Sequence, residues 1–272
     1  SVGERVAVVP LIPCGKCYWC KQGHYSLCCD YVFIGSRRNG GFAEFVSVPA
    51  ENLIKLPDTL DFEDAALIEP LTVALHRFQC ARVGLGEDIA ILGAGAIGLL
   101  ALQAARSMGA RRVFITDIMP GKLSLARELG ADICINVAEE DPVEIIHRET
   151  GGLGIDLVVE SSGASAAKLM ALQIVKSRGR VLLLGTAEED LLVPSDLLES
   201  ITRRELFLIG SWMSYSAPFP GKAWQDALWL LSKGKVSAQP LITHRFQLVE
   251  AEAAFDLALK QREAFCKVVL QP

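Results

Sequence analysis

The stretch IAILGAGAIGLLALQAARSMG, residues 89–109, decides the fold class of this chain. It begins with four aliphatic residues typical of a buried strand, passes through a glycine-rich turn and continues as an apolar helix. Short aliphatic strands separated by helical segments predict an α/β fold with a doubly wound parallel sheet. Five more such runs follow: RVFITD (112–117), ICINV (133–137), IDLVVE (155–160), RVLLLG (180–185) and ELFLIG (205–210).

The turn has the spacing G-x-G-x-x-G, which is a weak signal alone but gains weight between a strand and a helix. Its residues predict a site for the pyrophosphate of a dinucleotide, bound by backbone N–H groups at the start of the helix. The alternative is a tight strand–helix turn with only a structural role. The candidate cofactor-binding residues are Gly93, Gly95, Ala96, Ile97 and Gly98.

Asp117 ends the second strand, about 20 residues after the turn, where an acidic residue binds the adenosine ribose. Its charge would repel a 2′-phosphate, and Ile118 and Met119 supply no compensating cation. The sequence therefore predicts NAD rather than NADP. Lys122 is a candidate for the ribose or the adenine edge, with a solvated helix lysine as the alternative.

Four cysteines, Cys14, Cys17, Cys20 and Cys28, stand as C-x2-C-x2-C-x7-C. This spacing suits a tetrahedral zinc site, and a closed shell of four thiolates predicts a structural rather than a catalytic ion. The alternatives are two disulfides or four unrelated thiols. The sequence shows no secretory signal, so we expect the cytoplasm, where disulfides are rare.

The composition excludes several classes of function. The 272 residues are 51% hydrophobic and carry a net charge of -5 without a Lys/Arg run, so neither nucleic acid nor an anionic membrane is an expected partner. No apolar stretch reaches about 18 residues without a charge, so no transmembrane helix is expected. The length suits one large domain or two ordinary ones.

The flanking regions differ from the central one. Residues 2–56 predict short strands and loops, with FAEFVSV (42–48) alternating as a half-buried strand does. Residues 62–81 predict a helix. After Gly210 we expect a helix near 222–233, a strand near THRFQL, a helix near 249–261 and a last strand CKVVL.

These features together resemble the zinc-dependent medium-chain dehydrogenase/reductase family. The segments GERVAVVPLIPCGKCYWCKQGHYSLC (3–28) and ILGAGAIGLLALQAARSMGA (91–110) are similar to its structural-zinc lobe and its cofactor turn. The resemblance implies a Rossmann NAD-binding domain at 75–211. It also implies a β-rich GroES-like catalytic domain at 1–74 and 212–272, with a zinc lobe at 14–28 and its N-terminal part missing. A homo-oligomer, dimer or tetramer, is expected.

Finer matches are similar to the polyol dehydrogenase branch. In IEPLTVALH (68–76), Glu69 resembles a ligand of a catalytic zinc, held directly or through water; the alternative is a carboxylate stabilised at a helix N-terminus. The segments FIGSRRNGGFAEFV (33–46) and IGSWMSYSAPFPGKAW (209–224) favour a phosphorylated polyol. Arg37 and Arg38 are candidates for the phosphate and Trp212 for the cleft, with ordinary surface or core roles as alternatives.

The resemblance therefore implies a zinc-dependent enzyme that transfers hydride from a secondary alcohol of a small-molecule polyol phosphate to NAD. A free polyol or threonine is the alternative substrate. A non-catalytic NAD- and zinc-binding protein is the alternative of another class, because the family's other catalytic-zinc ligands are missing and the chain alone is expected to be inactive. His76 is predicted to be a core histidine rather than part of the site.

Overall fold

The computed structural model describes residues 1–186, 189–260 and 265–272, which divide into two compact units. The first unit comprises Ser1–Val73 and Trp212–Pro272, and the second comprises Ala74–Ser211. Among the described residues, every helix is too short or too polar to cross a membrane.

The strands in chain order are β1 (Val6–Val8), β2 (Leu11–Ile12), β3 (Val32–Phe33), β4 (Leu53–Lys55), β5 (Asp88–Leu92), β6 (Arg112–Asp117), β7 (Ile133–Asn136), β8 (Ile155–Glu160), β9 (Val175–Leu183), β10 (Phe207–Gly210), β11 (Ile242–Gln247) and β12 (Lys267–Gln271). The helices are α1 (Tyr18–Lys21), α2 (Phe62–Ala66), α3 (Ile68–Ala81), α4 (Ala96–Ser107), α5 (Pro120–Glu128), α6 (Pro142–Glu149), α7 (Ser165–Ile174), α8 (Ser195–Arg203), α9 (Lys222–Ser232) and α10 (Ala251–Lys260).

The second unit is built on one parallel sheet of six strands in the order β10-β9-β8-β5-β6-β7. All five residues of β5 are buried, as expected for a strand covered on both faces. The predicted α/β class and six-stranded sheet are confirmed, although β9 begins at Val175, five residues earlier than expected. Because β5 lies between β6 and β8, the strand order reverses there, and such a switch point opens a crevice at the carboxyl ends of the strands.

The first unit has three small sheets of two strands each among its described residues. β1 pairs with β4 and β2 with β3, both antiparallel, whereas β11 and β12 are parallel. The buried amide of Asn52 donates hydrogen bonds to the carbonyl oxygens of Val9 and Leu11, both at 2.7 Å. This side chain links the segment before β4 to the one that leads into β2.

The prediction of a half-buried strand at FAEFVSV is wrong. No described residue between 42 and 48 is in a strand, and Phe42 and Phe45 are 70% and 89% exposed. A strand needs a neighbour for its backbone N–H and C=O groups, and no described segment pairs with this one. Alternation of residue types by itself does not supply that partner.

The predicted helix at 62–81 is two helices, because α2 ends before Leu67 and α3 begins after it. Pro70 has no N–H group and cannot donate to Ala66 as a continuous helix would require. In the first turn of α3 the same proline is tolerated, since those N–H groups have no partner within the helix. The predicted helix at 249–261 is α10, and its residue 261 lies outside the described residues.

Candidate active site and metal centre

The cysteine quartet is gathered by short local elements between β2 and β3. Cys17 precedes α1, Cys20 lies within it, and Cys28 follows a single 3-10 turn at Tyr25–Leu27. The four sulfur atoms all lie within 4.8 Å of one another, and this is the one group of three or more potential metal ligands in the described part of the chain. Four such donors fit a tetrahedral zinc ion.

Backbone donors prepare the quartet for negative charge. The N–H of Cys14 donates to Cys28 Sγ at 3.3 Å. The pKa of Cys14 is held below its usual value by hydrogen bonds from backbone N–H groups, chiefly that of Lys16. The backbone N–H groups of Cys20 and Cys29 lower the pKa of Cys17 to about 6. Burial raises the pKa of Cys20, so a cation is needed to keep that thiol ionised. The donor set therefore suits a bound metal ion.

The glycine-rich turn lies at the carboxyl end of β5, next to the switch point. Gly93 has φ of 106°, a conformation that favours glycine. A Cβ on Gly98 would lie 2.0 Å from the carbonyl oxygen of Gly93, whereas a Cβ on Gly95 would meet nothing within 4 Å. Gly98 is thus needed for the strand–helix packing, and Gly95 faces open space that a phosphate group can approach.

Helix α4 directs its first N–H groups to the same place. It begins at Ala96, and its N-cap residue, Gly95, has no side chain that could accept from the first N–H groups. Uncapped N–H groups and the positive end of the helix dipole suit an anion. The candidate cofactor-binding residues Ala96 and Ile97 lie in the first turn of this helix.

Asp117 is held against the turn by hydrogen bonds that the sequence does not reveal. Its Oδ2 accepts from the N–H of Ala94 at 2.8 Å, and its Oδ1 accepts from the N–H of Met119 at 2.9 Å. The carboxylate lies at the carboxyl end of β6, beside β5, and keeps lone pairs for a ligand. Lys122 is half-buried in the first turn of α5.

Glu160 is a functional candidate that the sequence analysis missed. It is fully buried at the end of β8, opposite Leu92 of β5. Its Oε1 accepts from the N–H groups of Ser162 and Gly163, both at 2.8 Å. The loop it orders touches the turn, because Ser161 Oγ donates to the carbonyl oxygen of Gly93 at 3.2 Å. The only available signal was an acidic residue at the end of an aliphatic strand.

Glu69 lies in the first unit, where it lines a cavity of about 200 Å³ with residues of β1, α2 and α9. Tyr215 is 2% exposed and stacks on Trp224, which is fully buried and lines the cavity. Burial, with a smaller contribution from the charge of Glu69, raises the pKa of Tyr215, so its hydroxyl stays protonated. Neither Tyr215 Oη nor Trp224 Nε1 has a hydrogen-bond partner among the described residues.

The other candidate substrate residues lie apart from that cavity. The guanidinium of Arg37 covers the ring of Tyr31 at 3.9 Å and donates to its carbonyl oxygen. Arg38 donates to the carbonyl oxygen of Ser47 at 3.1 Å and lines a second cavity of about 430 Å³ formed by residues 38–47. Trp212 is 57% exposed. No lining residue of the second cavity lines the first.

Two family models match the chain. The model of zinc-binding dehydrogenases matches residues 96–232, and the model of the alcohol dehydrogenase GroES-like domain matches residues 1–58. Galactitol 1-phosphate 5-dehydrogenase of Escherichia coli is 42% identical over 259 residues, which cover 94% of this chain and 74% of the relative. Sorbitol dehydrogenase of Bacillus subtilis is 33% identical over 273 residues, covering 100% of this chain and 75% of the relative.

Solved structures of dehydrogenases are also similar to this chain. The crystal structure of galactitol-1-phosphate dehydrogenase from Escherichia coli has a TM-score of 0.93 at 40% identity, covering 99% of this chain and 78% of that one. A zinc-binding dehydrogenase of Sinorhizobium meliloti bound to NADP has a TM-score of 0.91 at 32% identity, with 100% and 78% covered. An alcohol dehydrogenase of Escherichia coli in complex with NADH has a TM-score of 0.90 at 29% identity, with 100% and 77% covered.

Proposed function

Because the chain belongs to the zinc-binding dehydrogenase family, whose members are oxidoreductases, we propose that it oxidises a secondary alcohol of a polyol phosphate with NAD as the hydride acceptor. The proposed substrate is galactitol 1-phosphate, which would become a ketohexose phosphate. The observation that carries this choice is the 42% identity to galactitol 1-phosphate 5-dehydrogenase over 94% of the chain.

We assign the two roles to two domains. Residues 1–74 and 212–272 form the proposed GroES-like catalytic domain, and residues 75–211 the cofactor domain. The division of the chain into Ser1–Val73 with Trp212–Pro272 and Ala74–Ser211 supports these boundaries. The second unit holds the turn, Asp117 and Glu160, and the first holds the cysteine quartet and Glu69.

The choice of NAD over NADP is supported by the surroundings of Asp117. Its carboxylate is fixed in place by Ala94 and Met119, so it cannot easily turn away from a ribose phosphate. A 2′-phosphate placed there would meet a negative charge without a cation from the neighbouring Ile118 or Met119. Lys122, with a flexible side chain, is the first cation after Asp117 along the chain.

Zinc has two proposed places in this chain. The cysteine quartet would hold a structural ion that fixes the loop of residues 14–28. Glu69 is the proposed ligand or water-mediated partner of a catalytic ion, which when bound supplies Lewis-acid polarisation of an alcohol oxygen. The described residues gather no further group of three ligands around Glu69, so no reaction step is assigned to a metal there.

The cavity beside Glu69 has donors that suit an alcohol. Tyr215 Oη and Trp224 Nε1 are buried donors without a partner among the described residues, and such groups are costly unless a ligand or water satisfies them. A polyol offers several hydroxyl oxygens as acceptors. We therefore propose that these two aromatic side chains orient the carbon chain of the substrate next to the carboxylate of Glu69.

The phosphate of the substrate is assigned to the loop that carries Arg37 and Arg38. Arg37 and Arg38 are exposed guanidinium groups, which bind phosphate oxygens in pairs, but both already donate to backbone carbonyls. A free polyol is the second candidate, favoured by the 33% identity to sorbitol dehydrogenase over the whole chain.

Two further properties are part of the proposal. The outer edge of β10 carries Phe207 and Leu208, which are 54% and 47% exposed, and this edge is our proposed contact between copies in a homo-oligomer. Four thiolates on zinc require a reducing compartment, so we propose the cytoplasm. Sedimentation of wild type beside a Leu208→Lys variant would test the first property, and loss of self-association in the variant is expected.

The decisive experiment uses the protein as the cell makes it and compares kcat/KM for galactitol 1-phosphate, galactitol and sorbitol, followed by the absorbance of NADH. We expect the phosphate ester to be preferred about ten- to a hundredfold, since hydrogen bonds to charged groups are worth about 1.5–3 kcal/mol. Arg38→Ala should remove most of this preference, and the exposed Lys55→Ala of the same unit is the matched control.

Each other outcome has a meaning. Equal rates on the ester and the free polyols would reject the phosphate assignment and favour a free polyol. Binding of NAD and zinc without turnover of any of these alcohols would favour a non-catalytic protein. Threonine is tested in the same assay as the remaining alternative.

A further inference from the structure

Cys80 stands beside an imidazole and a hydroxyl group that the proposed dehydrogenase chemistry does not use. It lies near the end of α3 in the second unit and is exposed. Its Sγ is 3.7 Å from Nε2 of His76, one helical turn earlier. Ser211, just after β10, directs its Oγ to the same sulfur at 3.8 Å.

His76 is suited to take a proton from this thiol. It is half-buried, and burial together with the charge of Arg77 lowers its pKa, which keeps the ring neutral near pH 7 but makes it a weaker base than a free imidazole, so the proton transfer depends on the close contact with the sulfur. With its own proton on Nδ1, the ring presents an acceptor lone pair on Nε2 toward the thiol. The predicted role of a core histidine therefore leaves out a contact that only the folded helix makes.

The end of a helix normally disfavours a thiolate, because the partial charge of its C-terminus is negative. In α3 this effect is offset. The guanidinium of Arg180 donates to the carbonyl oxygens of Ala81 at 2.7 Å and Arg82 at 2.8 Å, the residues that directly follow Cys80, and its charge is paired with Glu87 at 2.6 Å. The offset therefore comes from these hydrogen bonds, which occupy carbonyl groups that would otherwise repel a negative sulfur, and from the hydroxyl of Ser211, which can donate to that sulfur.

We propose that Cys80 is a nucleophilic thiol, with His76 as its proton acceptor, that forms mixed disulfides with low-molecular-weight disulfides. The step is thiol–disulfide exchange. Nε2 of His76 takes the thiol proton, Sγ of Cys80 forms a bond to one sulfur of the disulfide, and the bond between the two reagent sulfurs breaks. The other sulfur leaves with the electron pair and takes the proton from the imidazolium. No further oxidant is required.

The test uses the zinc-loaded full chain and dithiodipyridine, an aromatic disulfide whose released thiopyridone absorbs light. Samples are quenched with acid at intervals, and the labelled cysteines are identified by mass spectrometry. Trypsin cuts after Arg77 and Arg82, so the peptide from Phe78 to Arg82 reports Cys80 alone. N-acetylcysteine in the same buffer is the reference thiol, because a hydrogen bond with Cys17 raises the pKa of Cys29; Cys29, exposed and without a histidine contact among the described residues, serves only as the within-chain check of each variant.

We expect Cys80 to react at least about tenfold faster than N-acetylcysteine, since a positioned base contributes about a hundredfold or more to such transfers. His76→Asn should slow Cys80 at least about tenfold and leave Cys29 unchanged. Ser211→Ala should slow it about two- to threefold, because one hydrogen bond to the sulfur is lost. Cys80→Ser should abolish labelling of this peptide. The same ranking is expected with oxidised glutathione, measured as a mass increase of the intact chain.

Two results overturn the proposal. One is a wild-type Cys80 that reacts no faster than N-acetylcysteine, which needs no variant and holds whether or not His76→Asn folds. The other is an unchanged rate in His76→Asn with a normal circular dichroism spectrum and melting temperature. A faster reaction in that variant would mean that the imidazole shields the thiol, and this also rejects the assignment.

Discussion

The two units of the chain achieve order by different means. In the second unit six strands share one sheet, and a cluster of buried side chains that includes Leu92, Phe114 and Val158 packs against its helices. In the first unit the described strands form sheets of only two, which are marginal by themselves. The loop of residues 14–28 has short elements and four sulfur atoms where the second unit has an apolar core. A metal ion is thus expected to stabilise the loop of residues 14–28, whereas the second unit is stabilised by its hydrogen-bonded sheet and its apolar core.

Removal of zinc should have the largest effect, and we expect that effect in the cysteine loop of the first unit. Structural zinc contributes about 10–16 kcal/mol in small zinc-binding peptides, so Cys17→Ser should lose the ion and the order of the loop. Hydrogen exchange should then increase between residues 11 and 34 and stay slow in β5, β6 and β8. Cys29→Ser is the matched control, with unchanged zinc content. Fast exchange throughout the second unit after zinc loss would show that the two units do not stand independently.

Two glycine variants test whether Gly98 serves packing and Gly95 serves cofactor binding in the second unit. Gly98→Ala places a Cβ 2.0 Å from the carbonyl oxygen of Gly93, so we expect a loss of about 1–3 kcal/mol in the free energy of unfolding and weaker binding of NADH. Gly95→Ala meets nothing within 4 Å and should leave stability unchanged while still weakening NADH binding. Denaturant melts and fluorescence titrations measure the two effects. Equal destabilisation by both variants would contradict the proposed division of roles.

The second unit also depends on a charged cluster at the start of β5. The side chain of Asp88 is 2% exposed and accepts from Arg111 at 2.6 Å and Arg112 at 2.5 Å. Burial by itself would raise the pKa of Asp88, but the two guanidinium groups outweigh it and lower the pKa to about 2. Asp88→Asn should cost about 1–3 kcal/mol, whereas Glu199→Gln, in an exposed pair, should cost less than about 1 kcal/mol.

The pH dependence of this cluster has a definite sign. The folded pKa of Asp88 is below its unfolded value of about 3.9, so its contribution is fully present above about pH 4 and is lost as the pH falls toward about 2. The difference in unfolding free energy between wild type and Asp88→Asn should therefore be constant at neutral pH and shrink in this acid range. A difference that grows on acidification would refute the assignment.

The smallest expected effect concerns cofactor choice. Asp117→Ser removes the charge but keeps an acceptor for the N–H of Ala94, so the preference for NADH over NADPH should fall about tenfold, or about 1.4 kcal/mol. Glu128→Gln, an exposed acid of α5, is the matched control. Dissociation constants from fluorescence titrations provide the ratio, and an unchanged ratio would remove Asp117 from the basis of the NAD proposal.

Much of the second unit could be predicted because its signals are local. Strand β6 has the predicted bounds, and the turn follows β5 as its spacing requires. The loop conformation of FAEFVSV, where the sequence predicted a strand, could not be predicted in this way, since strand formation depends on a distant partner. Glu160 was missed for the same reason, because its hydrogen bonds to Ser162 and Gly163 matter only when β8 lies beside β5.

The α/β class, the order of the six parallel strands along the chain and the four-cysteine spacing follow from the sequence, because each depends on residues close together in the chain, whereas the start of β9 at Val175 does not. The tertiary structure alone decided which side chains meet across long separations. It brought the hydroxyl of Ser211 to Cys80, the guanidinium of Arg180 to the end of α3 and the ring of Tyr215 to Trp224. Such contacts follow from how helices and strands pack, and no local pattern of residues encodes that packing.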